Sequence, residues 1–283
     1  MIYFCADDYG LCDVSSMRIK ECTEKGVLNK VSVFPNLDNI DTVKMQKNVT
    51  LSLHLNLVEG RCMAKELNLI ADTDGIFKHT FGGLLKLYLF HRREFEAEVY
   101  KEIKAQVLYW RGILQDEAPF FIDSHQHTHM IPGVFKMLLK VLDDEKIKAQ
   151  YIRIPAEPVM PYIKEPSLYF TYSCVNLIKQ WLLKFLWLIN KRRYKRCSIP
   201  TAYFMGILFS GKMDGKRVMK VLPHYVKLAE KHKKDIEVLF HPGYIRENEL
   251  DFKSKNLVFE KFYRSENRET EFDSVMKISL KEE

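Results

Sequence analysis

At 283 residues, 47% of them hydrophobic and 12% aromatic, the chain can bury a sizeable core, which excludes a disordered or low-complexity polymer. Its net charge of +7 is local: eight basic residues and no acid lie between Glu165 and Asp214, leaving 36 basic against 37 acidic residues elsewhere. The chain as a whole is therefore not basic, and no nucleic-acid partner is expected.

In chain order, residues 2–8 form a short apolar run that reads as a strand starting at once. They lack the charged and long apolar regions of a signal peptide, so a cytoplasmic protein is expected. A helix at 15–25, a strand at 30–36, a helix at 38–46 and a strand at 51–57 follow. Residues 61–93 read as an insertion hinged near Gly82-Gly83. Beyond it come a helix at 94–114, a strand at 119–125, a helix at 134–146 and a strand at 150–155. The helix at 168–190 is the most apolar, with a narrow polar stripe of Ser173, Asn176, Gln180 and Lys184. Two lysines inside it argue against a transmembrane span. A core or dimer-facing helix is the expectation, and an amphipathic helix lying on a membrane through 168–196 is the less common alternative. A strand at 201–207, a helix at 214–231 and a strand at 236–241 complete the alternation. The charged tail from 245 to 283 carries Phe259, Phe262 and Tyr263, enough apolar surface to fold back as a closing helix.

Strands and helices that alternate throughout predict one α/β domain over 1–283, an irregular TIM-like (β/α) barrel of about seven parallel strands. Six scattered cysteines without C-x-x-C spacing read as free thiols in a reducing compartment.

In such a barrel, strand C-termini converge on one mouth. Asp7-Asp8 end the first strand. As neighbours on a strand they should point apart, so one can bind a cation while the other approaches from the rim. Their alternative is a turn capping the next helix. In the Leu51–Leu57 run the leucines share one face, and Ser52, His54 and Asn56 share the other. Polar side chains facing a barrel interior need a reason, since unsatisfied buried groups are costly. The run Asp123-Ser124-His125-Gln126-His127-Thr128-His129 is the strongest signal: period two would place Asp123, His125, His127 and His129 on one side. Imidazoles with a carboxylate suit zinc and similar ions, and ligating histidines need a carboxylate behind them. His241 before Pro242-Gly243 could be a ligand, an acid for a leaving amine, or a hydrogen-bonded strand end.

Six segments together resemble the YdjC-like carbohydrate deacetylases. They are Ala6–Gly10, His54-Leu55-Asn56-Leu57 with Glu59-Gly60, Asp123–His129, Arg153-Ile154-Pro155, Tyr203-Phe204-x-Gly206 with Ser210-Gly211, and His241–Tyr244. The resemblance implies one divalent metal, magnesium or zinc, held by Asp8, His54 and His125. It also implies Asp7 as general base, His241 as acid, and a homodimer. Asn56, Asp123, His127, His129 and Arg153 would then contact substrate or support the ligands. The plan is similar to that of NodB-type polysaccharide deacetylases. One departure is Ala156, where many members carry Arg after the Arg-x-Pro segment. The expected function is metal-dependent removal of an acetyl group from an N-acetylated sugar. A metal-dependent phosphoesterase and a non-catalytic sugar-binding protein are the alternatives.

Overall fold

The structure is a computed structural model describing residues 1–37, 48–114, 118–246, 249 and 257–278. The helix expected at 38–46 lies outside the described residues. Seven strands are described: β1 (Ile2–Tyr9), β2 (Lys30–Val33), β3 (Thr50–Leu55), β4 (Phe120–Ser124), β5 (Ala149–Ile152), β6 (Tyr203–Met205) and β7 (Ile236–Phe240). They pair in parallel, in the order β5-β4-β3-β2-β1-β7-β6. The helices are α1 (Asp13–Lys25), α2 (Phe81–Phe90), α3 (Arg92–Ile113), α4 (Pro132–Asp144), α5 (Met160–Ile163), α6 (Cys174–Tyr194), α7 (Gly215–His232), α8 (Leu257–Tyr263) and α9 (Glu266–Lys277). The expected irregular seven-stranded barrel is what the chain forms. Several strands stop one to three residues earlier than the apolar runs suggest, because the runs continue into strand-end loops.

The sheet curls, and side chains show by how much. Tyr151 on β5 donates a hydrogen bond to Glu237 on β7, five strands away in the sheet order. Glu237 also takes the Lys30 ammonium at 2.9 Å and the Arg153 guanidinium at 2.7 Å. Alternation explains this polar interior: Phe4, Val31, Leu53, Ile122 and Val238 lie in the hydrophobic core, while their neighbours Lys30, Ser32, Ser52, Asp123 and Glu237 are wholly buried on the enclosed face.

Among the described residues no ladder joins β5 to β6, so the barrel has a seam. The buried Glu157 carboxylate, just after β5, stitches it. It accepts the backbone N–H groups of Gly206, Ile207 and Leu208, just after β6. α6 covers the same seam with side-chain amides. Asn176 donates to the Leu208 and Ser210 carbonyls, Gln180 to that of Glu157 and Asn190 to that of Met130. The amides of α6 thus face inward, and a stripe of its apolar side chains faces out.

Gly82 and Gly83 lie in the first turn of α2, where Thr80 caps the Gly83 N–H, rather than at a hinge. Residues 61–77 before it carry two antiparallel bridges, Arg61 with Ile76 and Ala71 with Phe77.

Removing Glu157 would strand three backbone donors in the seam, each costing roughly 1–3 kcal/mol when unsatisfied. Glu157→Ala should lower the unfolding free energy by at least about 3 kcal/mol in urea titration. A loss below about 1 kcal/mol would show that the seam closes without it.

Candidate metal centre and active site

Two adjacent residues on a flat strand cannot both face one site. Asp8 adopts φ +71°, the left-handed region, where β1 loses register with β2 between Ala6 and Tyr9. Such backbone costs a non-glycine residue about 1–2 kcal/mol and persists where surrounding contacts enforce it. The kink turns both carboxylates toward His54: Asp7 Oδ2 lies 4.0 Å from Nδ1 and Asp8 Oδ1 3.5 Å from Nε2. The capping alternative fails, because the N-terminus of α1 has Cys12 at its cap and no side-chain cap bond.

His54 is held from behind. Its Nδ1 lies 2.6 Å from Asp123 Oδ1, while the other Asp123 oxygen accepts from Ser32 and Ser52 at 2.7 and 2.6 Å. A ring that donates through Nδ1 presents its Nε2 lone pair forward. His125 Nδ1 comes within 3.1 Å of Asp8 Oδ1, and its Nε2 pairs with Tyr263 from α8 at 3.3 Å. Phe34 sets its ring against both imidazoles at 4.8 and 5.1 Å between centroids.

Do these groups suit a cation? Ligand atoms of Asp8, His54 and His125 all lie within 4.8 Å of one another. Asp8 Oδ1 and His54 Nε2 are buried yet make no hydrogen bond among the described residues. Two ligands each about 2.1 Å from a tetrahedral ion sit about 3.4 Å apart, close to the 3.5 and 3.1 Å seen. An oxygen and a nitrogen that converge in a buried site without a hydrogen bond fit a metal ion. One carboxylate with two imidazoles suits zinc better than magnesium.

Charge balance points the same way. Asp7, Asp8, Asp123 and Glu237 form one connected buried set with the cations Lys30, Arg153 and Arg268. Four carboxylates against three cations leave one negative charge over. Burial alone would depress the His54 pKa, yet Asp7, Asp123 and Asp8 raise it to about 10, so a proton takes up the excess. A divalent ion would replace that proton. Burial keeps His125 neutral, as a ligand must be. Asp8 is driven toward its neutral form by burial, but Arg268 and the two histidines hold it well below the usual carboxylate range.

Arg268 has no counterpart in the sequence reading. It comes from α9, donates to Asp8 Oδ2 and to the Gly243 carbonyl, and is wholly buried. Its distance along the chain from Asp8 hid it. Lys30 and Glu237 were equally hidden, each a single charge in an apolar strand.

Asp7 is gripped by Arg153 through both oxygens, at 2.7 and 2.8 Å. Burial pushes its pKa up, but Arg153 and His54 outweigh that and hold it below the ordinary value, ionised at neutral pH. His129 does not share the site face. β4 ends at Ser124, Gln126 and His127 turn left-handed, and His129 bonds instead to Ser124 and, at 2.7 Å, to the Arg153 carbonyl. It positions Arg153. His127 lines the cavity with its ring edge-on to Phe204, and burial presses its pKa well below the usual value. Asn56 is buried and spends its amide on the loop after β3, bonding Asn36 and the backbone of Val58 and Glu59. The period-two expectation for residues 123–129 therefore holds only to the strand end.

Asp7, Asp8, His125, His127 and His241 open together onto a cavity of about 370 Å³. Leu182, Leu183 and Lys179 from α6, Ile207, and Phe262 from α8 line it as well. His241 Nδ1 lies 3.6 Å from Glu271, which also accepts its backbone N–H.

Fold and site define a class: a parallel α/β barrel whose strand ends bring one carboxylate and two imidazoles together, as catalytic metal centres do. The chain belongs to the YdjC-like protein family, whose profile matches residues 1–283. A carbohydrate deacetylase of Danio rerio is 29% identical over 164 residues, covering 54% of this chain and 49% of the relative. One from Xenopus laevis is 30% identical over 53% of this chain and 49% of its own. The chain thus spans about half the length of these curated relatives. A carbohydrate deacetylase of Mus musculus matches at 24% identity over 84% of this chain and 76% of its own. The crystal structure of an Enterococcus faecalis V583 protein, named as a candidate for cellobiose-phosphate cleavage, superposes with TM-score 0.65 at 15% identity. That overlap covers 98% of this chain and 90% of the other, and shows a shared fold.

Supporting carboxylates behind ligating histidines typically contribute 10–100-fold to metal affinity. Asp123→Asn should weaken zinc binding by about that factor in calorimetric titration, while His127→Ala leaves it unchanged. The reverse pattern would move the metal onto the His-rich turn.

Proposed function

We propose that this chain is a metal-dependent carbohydrate deacetylase. It would remove the acetyl group from an N-acetylated sugar, of the N-acetylglucosamine type or an oligosaccharide, to release acetate and an amino sugar. The observation that carries this reading is the opening of Asp7, Asp8, His125 and His241 onto one cavity. The curated relatives named for the same chemistry support it.

Asp8, His54 and His125 would hold the ion, which supplies a polarised carbonyl and a water of lowered pKa. Asp7 receives the proton of the attacking water; Arg153 keeps it ionised and fixes its direction. His241 gives a proton to the amine nitrogen as the amide C–N bond breaks. The apolar side chains of Leu182, Leu183, Ile207 and Phe262 keep bulk water away, which strengthens each electrostatic contact inside. The free cysteines fit a reducing compartment, which favours a cytosolic setting.

A two-metal phosphoesterase would need the second group of potential ligands, Asp7, His54 and Asp123. Both carboxylates there are already committed, Asp7 to Arg153 and Asp123 to Ser32, Ser52 and His54. Binding a sugar needs no general base, so an ionised Asp7 beside the candidate ligands favours catalysis over binding alone.

Acetate release from a panel of N-acetylated sugars by the zinc-loaded protein tests the reading. Asp7→Asn should lower kcat by about 10²–10⁴ while zinc content stays at wild type. Acetate release by this variant at the wild-type rate would overturn the role of Asp7. Silence of the loaded wild type on every sugar would overturn the activity.

A further inference from the structure

α6 leaves a broad apolar stripe exposed while part of its inward face is polar. Its inward face holds Asn176, Gln180 and Asn190, each donating to a backbone carbonyl, beside the buried Leu183 and Leu186. Its outward stripe holds Val175, Ile178, Trp181, Phe185 and Leu188, at helical spacing. Trp181, Ile178 and Leu188 are each 68% exposed and Phe185 60%. The turn before it adds Tyr169 and the fully exposed Phe170, and α5 adds Ile163. Contiguous apolar surface of this kind marks an interaction face.

Charge identifies the occupant. The face ends in Lys191, Arg192, Arg193, Lys195 and Arg196, and no acidic residue occurs from 166 to 213. A second copy docked through the same face would bring basic residues and no acid to meet them. Aromatic and aliphatic groups flanked by a polybasic cluster suit an anionic lipid surface, which accepts the first and neutralises the second. Among the described residues no helix is long and apolar enough to cross a membrane, so the contact is superficial.

We propose that the outer face of α6 and the turn before it lie on an anionic bilayer, and that the cavity draws its acetylated sugar from a membrane-borne glycolipid. The inner side of the same helix supplies Leu182 and Leu183 to the cavity wall, so docking brings the cavity within about one helix diameter, some 10 Å, of the lipid. The docking stands on the surface alone. The choice of substrate rests also on the deacetylase reading.

Co-sedimentation of the full chain with vesicles of phosphatidylcholine, with and without 30% phosphatidylglycerol (about one anionic lipid in three), separates these claims. Wild type should partition onto the anionic vesicles with a blue shift of tryptophan fluorescence, and less so in high salt. The variants W181E/F185E and K191E/R192E should each weaken partition at least about tenfold. With N-acetylglucosaminyl lipid in the vesicles, W181E/F185E should lower kcat/KM at least about tenfold, and leave acetate release from a soluble acetylated sugar unchanged. Absence of wild-type partition would overturn the proposal. So would partition of both variants at the wild-type level, or a dimer that W181E/F185E dissociates without any vesicle binding. Vesicle binding without acetate release from any sugar would uphold the docking face and overturn the deacetylase reading instead.

Discussion

The buried guanidinium of Arg153 is the constraint on which the rest of the structure depends. The inner face of the barrel is polar, so its charges must be complete or the interior cannot be dry. Arg153 reaches Asp7 on β1, Glu237 on β7 and Asp123 on β4, and is wholly buried among them. It ties the edge strand β5 to β1 and β7, which no backbone ladder joins to it among the described residues. It also fixes Asp7 beside the candidate metal ligands. Barrel closure and the orientation of the Asp7 carboxylate are therefore the same interaction, which His129 supports by holding the Arg153 carbonyl.

The tail has a similar double role. Helices α8 and α9 cover the mouth, and from them come Tyr263 against His125 and Arg268 against Asp8. Asp8 carries a positive φ, and Arg268 holds the side chain that this backbone turns inward. Two of the three candidate ligands thus depend on residues more than a hundred positions away in the chain.

Much of the fold was legible in the sequence because period-two and period-3.6 patterns are local. The Leu51–Leu57 alternation announced both a buried sheet face and a polar interior, and Ser52 and His54 do meet Asp123 there. What was not legible was pairing across the barrel. Nothing near Lys30 or Glu237 in sequence says that they neutralise each other, and nothing near Arg268 says that it reaches Asp8. The His-x-His-x-His run misled in one respect: a strand-based reading aligns all three rings, but the chain leaves the strand at Ser124 and turns left-handed at Gln126 and His127. α6 departs from the core-helix expectation for an instructive reason as well. An apolar helix is ordinarily turned inward, but here the seam needs amide donors for loop carbonyls, and Asn176, Gln180 and Asn190 supply them.

The central claim is that Asp8, His54 and His125 share one ion. Anomalous diffraction at the zinc edge, from crystals of the full chain soaked in zinc, tests it most directly. The account predicts a single strong peak bonded to Asp8 Oδ1, His54 Nε2 and His125 Nδ1 at about 2.0–2.2 Å, with Arg153 still on Asp7. A peak between Asp7 and Asp123 with Arg153 displaced, or no peak among these side chains, would contradict it.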